Sequence, residues 1–139
     1  MVMSNRRRIL VVDDEEDVSL VLRARLGSAG YEVHTEHYGA TALNEAIQRP
    51  PDLILLDVKL PDLDGYEVCQ ELRRLYPISR PIIVMFTVLE EPDDYARGFS
   101  NGADAYLVKG CGPNELIMTI ERLLCDDRRA PVTANELFA

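Results

Sequence analysis

The sequence predicts an α/β domain in which five parallel strands are covered by helices on both faces. Short apolar runs alternate five times with longer amphipathic segments, the pattern of a parallel sheet joined by crossover helices. Three of the runs, the first, third and fourth, are apolar throughout, as central strands buried on both faces must be. The second alternates, and so belongs nearer an edge.

Taken in order, Ile9-Leu10-Val11-Val12 is a buried strand ended by acids. From Glu15 to Ala29, Val18, Val21, Leu22, Leu26 and Ala29 recur at helical spacing, and Gly30 stops the helix. Tyr31 to Glu36 alternates Tyr31, Val33 and Thr35 against Glu32, His34 and Glu36. Ala40 to Gln48 is a short helix with Ala42, Leu43, Ala46 and Ile47 on one side, ended by Pro50-Pro51. Leu53-Ile54-Leu55-Leu56 is the third strand, and Asp64-Gly65 opens a helix to about Tyr76 with Val68, Cys69, Leu72 and Leu75 inward. Pro81 leads into the fourth strand, Ile82 to Phe86. Glu90 to Asn101 is a weakly amphipathic helix carrying Tyr95, Ala96 and Phe99, and Gly102 suits the left-handed residue after its end. Ala105 to Val108 is the fifth strand. Pro113 starts the last helix, with Leu116, Ile117, Ile120, Leu123 and Leu124 inward. The pattern stops at Asp126, so residues 6–125 read as one domain and 126–139 as a tail or truncated linker.

A chain of 139 residues suffices for one domain with a real core. The net charge of −9 argues against direct contact with nucleic acid, whose phosphates need a basic face. It suits a protein that meets cations or basic patches on partners. No window is apolar enough for a membrane span, and Asp13 interrupts any signal-peptide core after Arg6, Arg7 and Arg8, which read as the solvated start of the first strand. Cys69, Cys111 and Cys125 are far apart and lack CxxC spacing, as expected of reduced residues in a cytoplasmic protein.

The chemistry is concentrated where strands end. Asp13-Asp14 follow the first strand, Asp57 the third, Thr87 the fourth and Lys109 the fifth. In an open α/β sheet these positions gather beyond the carboxyl edge, where ligands bind. One Asp after a strand is usually a turn or cap residue; three carboxylates, a hydroxyl and an amine at one edge are hard to explain as caps. The carboxylates repel unless neutralised, and hard oxygen donors of this kind suit Mg²⁺. A metal-bound carboxylate remains ionised and nucleophilic, while Lys109 and Thr87 supply a charge and a donor for phosphoryl oxygens. That set suits in-line phosphoryl transfer to a carboxylate.

Several stretches, in order and at matching spacing, resemble the response-regulator receiver family over roughly residues 6 to 125. They are Ile9 to Glu15, Asp52 to Asp57, Leu60-Pro61-Asp62-Leu63-Asp64-Gly65, Phe86-Thr87, Gly102 to Lys109 and Pro113 to Leu116. The resemblance implies a flavodoxin-like, doubly wound (βα)5 sheet of order 2-1-3-4-5, a strand order that receiver proteins exemplify. It implies Asp57 as the phosphoacceptor in two-component signalling, with Asp14 and Asp57 binding Mg²⁺ directly, Asp13 acting through water, and the backbone carbonyl of Lys59 as a further ligand. Thr87 and Tyr106 would form a switch that repacks the face of the fourth helix, fifth strand and fifth helix. The implied phosphoryl donors are a sensor histidine kinase, a phosphotransfer protein or a small acyl phosphate. The same face is the expected contact surface, for a homodimer among other partners. Such a protein catalyses only its own phosphorylation and dephosphorylation.

Three departures from the family pattern bear on this. Lys109-Gly110-Cys111 stands where the family usually has Lys-Pro-Phe around a cis bond. A non-proline cis bond costs about 3–4 kcal/mol, so a trans bond, a looser loop and a less rigidly aimed Lys109 are expected. Val88 stands where a small residue is usual and should narrow access, and the Lys59 side chain is placed to overhang the site. Slow, unusual dephosphorylation is the expectation. His34 and His37 read as surface residues lacking a third ligand, and Glu15, Glu16 and Asp17 as residues that cap and charge the start of the first helix, not as metal ligands.

Two alternatives remain open on the sequence. A haloacid-dehalogenase-like phosphatase would place its acids two apart after the first strand, whereas Asp13 and Asp14 are adjacent. A pseudo-receiver would act as a protein-interaction module without phosphorylation. No effector domain is visible after the receiver pattern, which fits a free-standing receiver or one excised from a longer regulator or hybrid kinase.

Overall fold

The strands fall where the apolar runs place them because each run can bury both faces only inside a sheet. The computed structural model describes residues 6–76 and 81–125. In chain order the elements are β1 (Arg8–Val12), α1 (Glu16–Ser28), β2 (Glu32–Glu36), α2 (Gly39–Gln48), β3 (Leu53–Leu56), α3 (Gly65–Leu75), β4 (Ile82–Thr87), α4 (Pro92–Ser100), β5 (Ala105–Val108) and α5 (Pro113–Cys125). The sheet is parallel throughout, in the order β2-β1-β3-β4-β5. Its strand order changes direction between β1 and β3, which is where a doubly wound sheet opens a crevice. The expected tail lies outside the described residues. Among the described residues no helix is long and apolar enough to cross a membrane.

Strand alternation divides the core in two. Leu10, Val12, Ile54, Leu56, Ile83 and Met85 pack with Ala42, Ala46, Val68, Cys69 and Leu72 of α2 and α3. Ile9, Val11, Leu53, Leu55, Ile82, Val84 and Phe86 pack with Leu22 and Leu26 of α1 and Leu116, Ile120 and Leu124 of α5. Full burial of each such side chain contributes roughly 1.5–3 kcal/mol, so the sheet is the rigid part of the molecule. Arg73 of α3 ties that frame to the turn before β5, donating to Gly102 O (2.8 Å), Pro81 O (2.7 Å) and Asp104 Oδ2 (2.6 Å).

Helix ends match expectation at the glycines: Gly30 and Gly102 have φ of 100° and 107°, the left-handed region that terminates a helix. The inward stripes are narrower than the periodicity suggests. Val21, Ile47, Leu75 and Phe99 are 58%, 49%, 40% and 50% exposed, and Ala29 is exposed. A helix laid on a sheet buries only the residues on its contact line, and Val21 stands about 100° round the helix from Leu22. Arg8 is also no solvated lead-in, since it lies within β1 and pairs with Glu32 and Glu45.

Candidate functional site

Backbone bonds continue the ladder past the strand ends and hold the polar residues in place. Asp13 N donates to Glu36 O, Asp57 N to Val12 O and Lys109 N to Thr87 O, at 3.1, 3.0 and 2.8 Å. Asp13, Asp57, Thr87 and Lys109 therefore start from one rigid edge, and three of them, Asp13, Asp57 and Thr87, are buried.

Lys109 stands at the centre. Its Nζ lies 2.8 Å from Asp13 Oδ2, 2.9 Å from Asp57 Oδ2 and 3.1 Å from Glu15 Oε1. This corrects the expectation of a loosely aimed lysine. Two buried carboxylates converge on the only ammonium among the described residues that can reach both, and their attraction aims it without a proline in the following turn. Burial by itself would lower the Lys109 pKa, but hydrogen bonds to Asp13 and Asp57 outweigh it and raise the value. Burial pushes the Asp13 carboxyl up, against the opposing pull of Lys109 and of the Glu15 amide.

Asp13, Asp14, Glu15 and Asp57 each offer a carboxylate oxygen, all within 4.8 Å of one another. Four carboxyl groups against one ammonium give a local formal charge of −3. An all-oxygen set with that charge fits a hard divalent cation. Glu15 is the member that sequence reasoning assigns to helix capping. It occupies the N-cap position of α1 but makes no side-chain cap, and its carboxylate turns to Lys109 instead. An acid beside a helix start signals both roles equally, so the sequence does not distinguish them. Asp14 is exposed at the mouth of the group.

The loop after β3 is folded tightly beneath Asp57. Gly65 N donates to Val58 O at 2.8 Å, and a Cβ on Gly65 would lie 2.2 Å from Asp57 O, so no side chain fits there. Asp64 then caps α3 by accepting from Glu67 N at 2.9 Å. Lys59 enters through its backbone, its amide donating to Asp57 Oδ1 at 3.4 Å, while its side chain is exposed. Val88 is 55% exposed at the rim.

Thr87 is fully buried, and its Oγ1 accepts from Leu89 N at 3.4 Å. Tyr106, one strand over and paired in register with Met85, donates from its hydroxyl to Leu89 O at 3.0 Å. Thr87 and Tyr106 thus both bond the backbone of Leu89. Burial and the neighbouring Tyr66 hydroxyl raise the Tyr106 pKa strongly, consistent with a phenol that remains a donor.

The histidines are placed apart from one another. His37 Nδ1 lies 2.8 Å from Asp13 O, behind the site. His34 faces α2 and, contrary to the expectation of no further ligands nearby, has Glu36 and Glu45 within reach, although Arg8 already stands 3.8 Å from Glu45. All three cysteines are free; Cys69 is buried, and burial pushes its thiol up to about 11, so it is inert as a nucleophile.

Residues 9–121 match the family model described as the response regulator receiver domain. The chain is 45% identical over 120 residues to the "Probable transcriptional regulator ycf27" of Cyanophora paradoxa, covering 86% of this chain and 49% of that one. It is 40% identical over 131 residues to the alkaline phosphatase synthesis transcriptional regulatory protein PhoP of Bacillus subtilis, covering 92% and 51%. The chain thus spans about half the length of the curated relatives it matches. In three dimensions it resembles the CheY-like response regulator receiver domain protein of Methanospirillum hungatei, with a TM-score of 0.84 and 28% identity over 90% of this chain and 98% of that one.

Proposed function

The chain belongs to the response regulator receiver domain family, and from that premise we propose that Asp57 accepts a phosphoryl group with Mg²⁺ held beside it. The observation that carries this reading is a buried Asp57 carboxylate touching the Lys109 ammonium at 2.9 Å, inside a group of four acids. The donor is a sensor histidine kinase or a phosphotransfer protein, with a small acyl phosphate as a substitute. An Asp57 carboxylate oxygen attacks phosphorus, the bond from phosphorus to the donor nitrogen or oxygen breaks, and that atom leaves with the electron pair. The product is an aspartyl phosphate. Asp14, Asp57 and the Lys59 carbonyl would hold Mg²⁺, with Asp13 acting through water. The bound ion would offset the charge that builds on the phosphoryl oxygens. Lys109 neutralises one phosphoryl oxygen and Thr87 donates to another, so the chain supplies positioning and charge and turns over no external substrate.

Residues 6–125 act as the phosphoacceptor module, in the cytoplasm. Thr87 and Tyr106 pass the change at Asp57 to the α4–β5–α5 face, which serves partner binding, homodimerisation included. With a net charge of −9 the chain makes no direct contact with nucleic acid, although its relatives are named transcriptional regulators.

The test is incubation with acetyl phosphate and Mg²⁺, followed by intact-mass measurement. The expected result is one added phosphoryl mass, absent in Asp57→Asn and absent with chelator. No added mass in the wild type would leave a pseudo-receiver that works by binding alone. Lys59→Ala is expected to shorten the phosphoryl lifetime if the side chain keeps water from phosphorus.

A further inference from the structure

Gly98 lies inside α4, where an interior glycine weakens a helix relative to alanine. Its backbone gives no reason for glycine, since the positive-φ glycines among the described residues are Gly30 and Gly102. It is nevertheless the buried residue of that helix. The reason is space. A Cβ on Gly98 would lie 2.9 Å from Tyr106 Cδ2 and 3.1 Å from Cε2, with Met85 Cγ at 3.5 Å. Contacts under 3.0 Å are not tolerated, so something must move.

The ring cannot simply slide. Its hydroxyl is anchored on Leu89 O at 3.0 Å. The Tyr95 ring closes one side, with centroids 4.5 Å apart and planes at 64°. Met85, fully buried in β4, backs the seat, its Cγ 3.5 Å from the position of the added Cβ. A methyl on α4 would therefore break the Leu89 bond, or force α4 away from β5.

We propose that Gly98 is the positioning residue of the Thr87–Tyr106 pair: its missing side chain is the seat that receives the Tyr106 ring against α4. The inference rests on the reading that Tyr106 responds to phosphorylation at Asp57. Filling the seat drives the ring out whatever the state of Asp57, so phosphorylation and the α4–β5–α5 face become uncoupled. Glycine at position 98 thus gives up helix stability for the room in which the Tyr106 ring packs against α4.

The test combines a double-mutant cycle with a spectroscopic readout on the full chain. Unfolding midpoints are compared for wild type, Gly98→Ala, Tyr106→Ala and the double variant. Gly98→Ala is expected to lower the midpoint in the wild type and raise it in the Tyr106→Ala background, where the ring is gone and only helix propensity remains. In protein labelled with fluorotyrosine, the ¹⁹F resonance of Tyr106 (assigned with Tyr106→Phe) should be displaced in Gly98→Ala. It should no longer respond to Mg²⁺ with acetyl phosphate, although Asp57 gains its phosphoryl mass as in wild type. Stabilisation by Gly98→Ala in both backgrounds, or a Gly98→Ala protein whose Tyr106 resonance is undisplaced and still responds, overturns the proposal. If Gly98→Ala alone does not fold, rescue in the double variant supports the seat and continued failure overturns it. A wild type that takes up no phosphoryl mass sinks phosphorylation at Asp57 alone, since the sign change in the cycle still decides the seat.

Discussion

Lys109 Nζ donates to Asp57 Oδ2 across 2.9 Å, joining residues 52 positions apart, and the same nitrogen stands 2.8 Å from Asp13 Oδ2. One ammonium thus serves two carboxylates that are 2% and 4% exposed as whole residues. Removing one partner of a buried ion pair is costlier than never having built it, because the remaining charges have no solvent to replace it. Lys109→Met is therefore expected to lose about 3 kcal/mol of stability in chelator near neutral pH, read by urea unfolding. Saturating Mg²⁺ should restore part of that loss by supplying a counter-charge to the same oxygens. An identical loss with and without Mg²⁺ would show that the ammonium and the cation do not share a site.

Gly65 and Asp57 meet backbone to backbone. A Cβ at Gly65 would sit 2.2 Å from Asp57 O, and neither side can recede, because Asp57 N is tied to Val12 O and Gly65 N to Val58 O. Gly65→Ala must then displace the loop that carries Val58 and Lys59. Overpacking of this kind costs about 2–3 kcal/mol, and the rate of phosphorylation from acetyl phosphate should fall with it. Asp64→Ala, next door, removes the α3 cap and a half-exposed ion pair with Arg97 at 3.6 Å, and should cost about 1 kcal/mol with a smaller effect on rate. Equal effects of the two substitutions on rate would refute a special role for Gly65 in seating Asp57.

The two-sided burial of β1, β3 and β4 was legible because continuous apolar runs admit few other placements. The position of Asp13, Asp57, Thr87 and Lys109 followed from the same runs, since a residue just past a parallel strand has only one edge to occupy. What escaped was contact between side chains distant in sequence. Nothing near Glu15 says that Lys109, 94 residues on, draws its carboxylate away from the helix it should cap. The expectation of a loose lysine rests on a missing proline, a local argument overruled by two buried charges. The exposure of Val21 and Phe99 escaped for a related reason, because periodicity marks an apolar face without giving the width of its contact. The tight approach of Gly98 to Tyr106 is likewise invisible until α4 is laid against β5.

Asp62 caps a helix to which it does not belong. Tyr38, the N-cap residue of α2, makes no side-chain cap, and Asp62 accepts from Gly39 N at 2.7 Å and from Ala40 N at 2.9 Å instead. The Ala40 bond first, then burial in opposition, then the Gly39 bond set the balance, and the Asp62 carboxyl is held below its usual 3.8. A carboxyl depressed in the folded state stabilises that state at every pH above 3.8, and the contribution disappears as the pH falls below 3.8 through the lower folded value. Asp62→Asn keeps one acceptor but not the charge, so it isolates the ionised part of the cap. It should be less stable than wild type near neutral pH by an amount that stays constant down to about pH 5 and closes in stronger acid. Urea unfolding of both proteins across that range decides the matter: a difference that persists unchanged below the folded value would mean that the carboxylate charge contributes nothing to holding the start of α2.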